Sequence, residues 1–270
     1  MSATDANLIL QGHGIRKVFR RKGGWLKSAD ETVALDGVDI AVREGEIVGI
    51  VGESGCGKST LARVMVGLTD ADDGRLSLDG RPLFGPDRTP VPPVKRGIQM
   101  VFQDPYASLN PRMRVAEVVG EGLAIAGVDR SEIRTRVNAT LELVGLSAQD
   151  AAKYPFQFSG GQRQRICVAR ALVMEPRLLI ADEAVSALDV SVQMQILNLM
   201  LDLRQRLGVS IVFITHDIAV VEYLCDRVMV MYAGQVIEQG DTHHLIDNPS
   251  HEYTRRLIAS VPRFVSPVPA

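Results

Sequence analysis

The chain has 270 residues, 46% of them apolar and 23% charged, with 30 Lys and Arg against 32 Asp and Glu. That balance suits a folded α/β domain with a full core and excludes disordered, collagen-like and coiled-coil chains. A formal charge of -2 offers nucleic acid no global basic field. No apolar run in the sequence approaches the roughly 18 residues that span a bilayer, residues 1–5 carry no signal-peptide pattern, and three unpatterned cysteines fit a reducing compartment. The expectation is a chain that reaches a membrane only through another chain.

In chain order, residues 46–51 (EIVGIV), bounded by Gly45 and Gly52, read as a buried strand, and 59–68 as a helix. Four prolines (Pro86, Pro90, Pro92, Pro93) make 85–97 an exposed loop. From about 104 to 161 the pattern is mainly helical, with Ile133, Val137, Leu141 and Val144 on one face, which points to an inserted helical subdomain. Residues 178–181 and 210–215 are two further buried strands. Between them Ile196, Leu199, Met200, Leu203 and Leu207 recur at helical spacing before Gly208, a natural stop. Residues 228–232 and 235–238, joined through Ala233-Gly234, read as a hairpin, and several prolines and a short tail follow Leu245. Short strands alternating with helices predict a sheet covered by helices.

Three motifs carry chemistry. Gly52-Glu53-Ser54-Gly55-Cys56-Gly57-Lys58-Ser59 has the spacing GxxxxGK[ST] between a strand and a helix, with Thr60 next. Glycines let consecutive backbone N–H groups converge on a phosphate at a helix N-terminus, Lys58 offers its charge to the β- and γ-phosphates, and the Ser59 hydroxyl is a ligand for Mg²⁺. The strand ending in Asp182-Glu183 supplies one carboxylate to hold Mg²⁺ and a neighbour, Glu183, to act on an attacking water. Ser159-Gly160-Gly161-Gln162 opens a helix with a plausible N-cap and exposed backbone N–H groups.

Taken together, the order GxxxxGKST, a glutamine after an apolar run (Val101-Phe102-Gln103), SGGQ, Asp182-Glu183, Ser186-Ala187-Leu188-Asp189 and Thr215-His216-Asp217 resembles an ABC transporter ATPase subunit, from about residue 8 to 262. The resemblance implies a P-loop NTPase core sheet flanked by helices, with an antiparallel β subdomain and an inserted helical subdomain at about 104–165. It implies one domain over 1–262 and a tail at 263–270. It also implies a composite ATP site. Gly52, Gly57, Lys58, Ser59 and Thr60 hold phosphate and Mg²⁺, with Glu53, Ser54, Gly55 and Cys56 completing the loop. Gln103 contacts Mg²⁺ or the attacking water, Asp182 supports Mg²⁺, Glu183 activates water and His216 contacts the γ-phosphate. Ser159, Gly160, Gly161 and Gln162 of one subunit meet the γ-phosphate held by the other, and Asp189 couples the two subunits. Phe19, by its position after Ile15-Arg16-Lys17, is the candidate to stack on adenine; a core aromatic on the first strand is the other reading.

Residues 101–112 are similar to the oligopeptide, dipeptide and nickel importer branch, and 248–254 to that branch's NPxHPYT motif. The chain departs from the family pattern in three places: Phe158 before SGGQ, the pair Ala184-Val185 after the acidic pair, and Glu252 in place of proline, which leaves the tail less rigid. The implied partners are two transmembrane permease subunits, a second ATPase subunit (a sibling, or an identical copy) and, indirectly, an extracytoplasmic solute-binding protein. The implied place is the cytoplasmic face of the inner membrane. No cysteine follows Cys225, so no iron–sulfur cluster is expected, and no nucleic acid. His243, His244 and His251 match no zinc spacing and read as a solvated helix face. The rival readings are a soluble ABC protein acting on nucleic acid or ribosomes and an exporter ATPase. The absence of a coiled-coil insertion or second cassette opposes the first, and residues 103–112 oppose the second.

Overall fold

The computed structural model describes residues 7–21, 30–84 and 97–259. The proline-rich segment 85–96 and the tail 263–270 lie outside the described residues. The chain begins with two long strands, β1 (Leu8–Arg21) and β2 (Asp30–Arg43), then β3 (Ile47–Val51), helix α1 (Lys58–Val66), β4 (Asp73–Leu78), β5 (Arg81–Pro82) and β6 (Ile98–Val101). A helical insertion follows: α2 (Pro105–Ser108), α3 (Val115–Ile125), α4 (Arg130–Leu143), two 3-10 turns (Ala148–Ala152 and Pro155–Gln157) and α5 (Gly160–Leu172). The sheet then resumes with β7 (Leu178–Asp182), α6 (Val190–Leu207), β8 (Ser210–Ile214), α7 (Ile218–Leu224), β9 (Arg227–Tyr232) and β10 (Gln235–Asp241). Helices α8 (Thr242–Asp247) and α9 (Glu252–Ala259) come last.

Two sheets form, one four-stranded and antiparallel in the order β2-β1-β4-β5, the other six-stranded in the order β10-β9-β3-β8-β7-β6. In the second, β3 runs parallel to β8 and β9, and β7 runs parallel to β6 and β8; only the β9–β10 hairpin is antiparallel. Every residue of β3, β7 and β8 is buried, as a parallel sheet covered on both faces requires. Their side chains alternate between two cores. Ile47 and Val51 share one with Leu179, Ala181, Ile211, Phe213 and α3 to α7. Val48 and Ile50 share the other with Leu178, Ile180, Val212, Ile214, α1 and the antiparallel sheet. This is the expected α/β core with its antiparallel β subdomain and helical insertion.

Helix α1 ends at Val66, two residues short of the expected stop, because Gly67 takes a left-handed conformation (φ 77°) and its N–H closes on the Val64 carbonyl at 3.1 Å. Helix α6 ends against Gly208 as expected. In the insertion Val137, Leu141 and Val144 are buried and Ile133 packs against the same core. Helix α5 continues unbroken through residue 165 to Leu172 and returns the chain to the sheet. Among the described residues no helix is long and apolar enough to cross a membrane.

Candidate functional site

Strand β3 delivers the chain to Gly52, and the loop closes into α1 at Lys58. The loop lies flat against its neighbours. A Cβ on Gly52 would fall 2.2 Å from the Met231 carbonyl oxygen, and one on Gly57 (φ 112°) would fall 2.4 Å from that of Ala34. Neither position can carry a side chain without displacing backbone. Glu53, Ser54 and Gly55 form the exposed tip, Cys56 and Gly57 are buried, and Ser59 and Thr60 are half-buried on the first turn of α1. Lys58 is only 4% exposed. Its Nζ donates to the Gly52 carbonyl at 2.7 Å and the Glu53 carbonyl at 2.9 Å, with the Cys56 sulfur 3.9 Å away. A buried ammonium and the N-terminus of a nine-residue helix therefore meet at one loop, which is the electrostatics of an anion site.

Four parallel strands end around this loop. At the end of β7 Asp182, 7% exposed, accepts a hydrogen bond from the Ser59 hydroxyl at 3.1 Å. Burial pushes its carboxyl pKa up. The Glu183 charge adds to that, and the Ser59 hydrogen bond and the Arg63 and Lys58 charges work against it. Glu183 sits in the left-handed region (φ 47°), a strained setting for a non-glycine residue, with its N–H on the Ile214 carbonyl at 2.9 Å and its carbonyl accepting from the Ser186 hydroxyl at 3.0 Å. This turn aims the carboxylate between two neighbouring strand ends. Gln103, following β6, donates Nε2 to Glu183 Oε2 at 2.8 Å, and His216, following β8, has Nδ1 3.8 Å from Oε1. Gln103, Glu183 and His216 are thus brought together, beside Asp182, Ser59 and Lys58.

The Ser159-to-Gln162 segment is folded as a helix start: the Gln162 N–H donates to the Ser159 hydroxyl at 3.4 Å, and the Ser159 N–H donates to Gln162 Oε1 at 3.0 Å. Asp189 caps α6 by accepting from the Val192 N–H at 3.0 Å. These two helix starts lie side by side, with Val192 packed where a Gly161 side chain would be. The side-chain hydrogen bonds of Ser159 and Gln162 stay within their own turn. Phe19 is 46% exposed on β1, with Lys17 Nζ 5.7 Å from its ring centre. The alternative that it is a core aromatic is therefore excluded. His243 and His244 are exposed on α8, and His251 Nδ1 accepts from the Tyr253 N–H at 3.1 Å. Among the described residues no group of three or more His, Cys, Asp or Glu is arranged to hold a metal.

Sequence reasoning missed Tyr253, whose hydroxyl accepts the Glu53 N–H at 2.9 Å, as well as Arg63 and the carbonyls of Ala34 and Met231 that wall the loop. The NPSHEYT stretch was the only signal that could have pointed to Tyr253.

Residues 35–186 match the family described as ABC transporter. The chain belongs to that family. This cassette is 46% identical over 260 residues to the oligopeptide transport ATP-binding protein OppF of Escherichia coli, spanning 94% of this chain and 78% of that protein. It is 44% identical over 256 residues to the dipeptide transport ATP-binding protein DppF of Haemophilus influenzae, spanning 94% and 78%. Its fold matches cbiO1 of Clostridium perfringens, part of the ABC transporter complex cbiONQ, with TM-score 0.76 and 31% identity over 90% of this chain and 92% of that one. It also matches the ATP-binding cassette MJ0796, solved as a dimer in a post-hydrolysis state with ADP and Pi, with TM-score 0.73 and 29% identity over 87% and 99%. The chain is an ATP-binding, ATP-hydrolysing subunit of an ABC transporter, with the α/β fold its sequence implied.

Proposed function

We propose that this cassette drives an importer for oligopeptides or dipeptides, as its relatives' names describe for them. Nickel, glutathione and opine-like solutes are the outlying candidates. In this reading residues 1–262 act as one ATPase unit with a short tail at 263–270. The unit is held at the cytoplasmic face of the inner membrane by two permease subunits, next to a second cassette that is a sibling or an identical copy. An extracytoplasmic binding protein supplies the solute, and neither nucleic acid nor an iron–sulfur cluster has a role.

The observation that carries the catalytic part is the Glu183 carboxylate, held by Gln103 at 2.8 Å and flanked by His216, one residue beyond the Asp182–Ser59 pair. Residues 52–60 would bind the phosphates, with Lys58 as the charge. The Ser59 hydroxyl and the Asp182 carboxylate are oxygen donors 3.1 Å apart, which fits a small hard cation such as Mg²⁺. The ion would neutralise phosphate charge there, with Gln103 at its edge. Glu183 would take the proton of the attacking water, and His216 would contact the γ-phosphate. Phe19 would stack on adenine. Ser159, Gly160, Gly161 and Gln162 of the partner subunit would close over the nucleotide, and Asp189 would couple the pair. The helical subdomain, about 104–165, would pass the closure to the permeases.

The test is reconstitution with permease subunits and a partner cassette in proteoliposomes. Peptide-loaded binding protein should stimulate ATP hydrolysis and labelled peptide should cross the membrane. Stimulation by nickel alone, with peptide inert, would overturn the solute assignment while leaving the ATPase intact.

A further inference from the structure

The carboxyl-terminal segment touches the nucleotide site. Tyr253, on the first turn of α9, is 4% exposed, and its hydroxyl accepts the Glu53 backbone N–H at 2.9 Å. That N–H belongs to the Gly52–Glu53 peptide, whose carbonyl, that of Gly52, accepts from Lys58 Nζ at 2.7 Å. In a planar trans peptide the N–H and C=O point in opposite directions, so Tyr253 and Lys58 hold one peptide plane from its two sides. The next carbonyl, that of Glu53, takes a second Lys58 N–H at 2.9 Å. An ammonium has three N–H groups. Two are fixed by carbonyls, and among the described residues the third meets the Cys56 sulfur at 3.9 Å, a weak acceptor that a phosphate oxygen displaces.

The tyrosine is itself held at both ends. Its ring packs on that of Tyr232, centres 4.6 Å apart. The start of α9 is tied to β10 by Glu238, whose carboxylate accepts from the Ser250 N–H at 2.7 Å, the Ser250 hydroxyl at 2.6 Å and the His251 N–H at 3.1 Å. The turn is closed by Arg255, which donates to the Pro249 and Ser250 carbonyls at 3.1 and 2.8 Å. Glu238, Ser250 and Tyr253 thus form a continuous path from β10 to the phosphate loop.

We infer that Tyr253 is a positioning residue of the nucleotide site: it orients the Gly52–Glu53 peptide so that Lys58 is presented to phosphate, and Glu238 holds the segment that places it. The inference rests on the phosphate loop binding ATP. Losing one hydrogen bond that preorganises a charge should weaken binding roughly three- to tenfold. The loss falls equally on substrate and transition state, so it appears in KM rather than kcat.

The experiment uses the full chain, with N-methylanthraniloyl-ATP as the binding probe and amide exchange followed at Glu53. Tyr253→Phe keeps the ring on Tyr232 and with it the fold, which the thermal midpoint checks. Expected are a three- to tenfold rise in Kd and in KM for ATP, kcat within twofold of wild type, and faster exchange at Glu53 with the amides of α1 unchanged. Glu238→Ala should act in the same direction and add little to Tyr253→Phe in the double variant, because both act along one path. Wild-type affinity and an unchanged Glu53 amide in Tyr253→Phe would overturn the inference, and so would full additivity of the two variants. A wild-type chain that fails to bind the probe would instead refute the nucleotide reading, and the Glu53 amide would still decide the role of the tyrosine.

Discussion

The close approach of α5 to α6 makes Gly161→Ala a sharp perturbation. The added Cβ would stand 2.4 Å from Val192 Cγ1, whereas carbon atoms in contact sit about 3.5–4.0 Å apart, so the Val192 side chain or one helix start must give way by about 1 Å or more. Overpacking of this kind costs about 1–3 kcal/mol, and a 1 Å misplacement of a positioning group can lower a rate about 100-fold. The Ser159-to-Gln162 turn sits at the displaced end, so ATP turnover in the assembled pair should fall by a factor of roughly 5 to 150. Nucleotide binding by the isolated chain, proposed to use residues 52–60, should not change. Adding Val192→Ala removes the clash, because the nearest remaining atom is the Val192 Cβ at 3.7 Å, an ordinary contact. The Val192 N–H that Asp189 accepts is untouched by this change. Steady-state phosphate release from wild type, Gly161→Ala and the double variant is the assay. Full activity of Gly161→Ala, or no recovery on adding Val192→Ala, would refute the reasoning.

Two other outcomes are expected. Phe19→Ala should weaken ATP binding roughly 5- to 150-fold, the range of a lost base–aromatic stack, and Phe19→Trp should restore it; titration with ATP checks this, and equal affinity in all three proteins would remove Phe19 from the site. At Glu238 burial opposes the charge, but hydrogen bonds from the Ser250 hydroxyl and from the Ser250 and His251 N–H groups outweigh it and hold the pKa down at about 2, below the ordinary 4.5. The stability it contributes is therefore complete above about pH 4.5 and is lost as pH falls toward 2. The thermal-midpoint gap between wild type and Glu238→Gln should be widest at pH 5 and close on acidification, and a gap that stays constant would contradict the assignment.

The buried parallel strands were legible because β3, β7 and β8 are continuous apolar runs between turn residues, a pattern that local sequence carries in full. The long strands β1 and β2 were not readable from periodicity. Their pairing shifts register between Leu8 and Leu10, between Gly12 and Ile15, and twice more before Val18, so buried side chains do not recur at every second position. The proposed catalytic side chains were readable from motif spacing, since Asp182 ends β7, Glu183 follows it, and Gln103 and His216 lie just beyond the neighbouring strands. The geometry that joins them was not. The positive φ of Glu183 depends on the Ile214 carbonyl and Ser186, which only the folded sheet brings into place. Tyr253 escaped for the same reason: about 200 residues separate it from Glu53 in the chain, and β9, β10 and Glu238 close that gap.

The composite site is the central claim, and ATP-dependent pairing of the cassettes tests it most directly. With the partner cassette present and Mg²⁺·ATP added, Glu183→Gln should bind nucleotide, lose turnover by about 100- to 10,000-fold as a general base is removed, and run as a dimer on size exclusion. Adding Ser159→Arg places bulk where the faces meet. The double variant should bind nucleotide as the isolated chain does and run as a monomer. A Glu183→Gln protein that never pairs, or a double variant that pairs equally well, would contradict the claim.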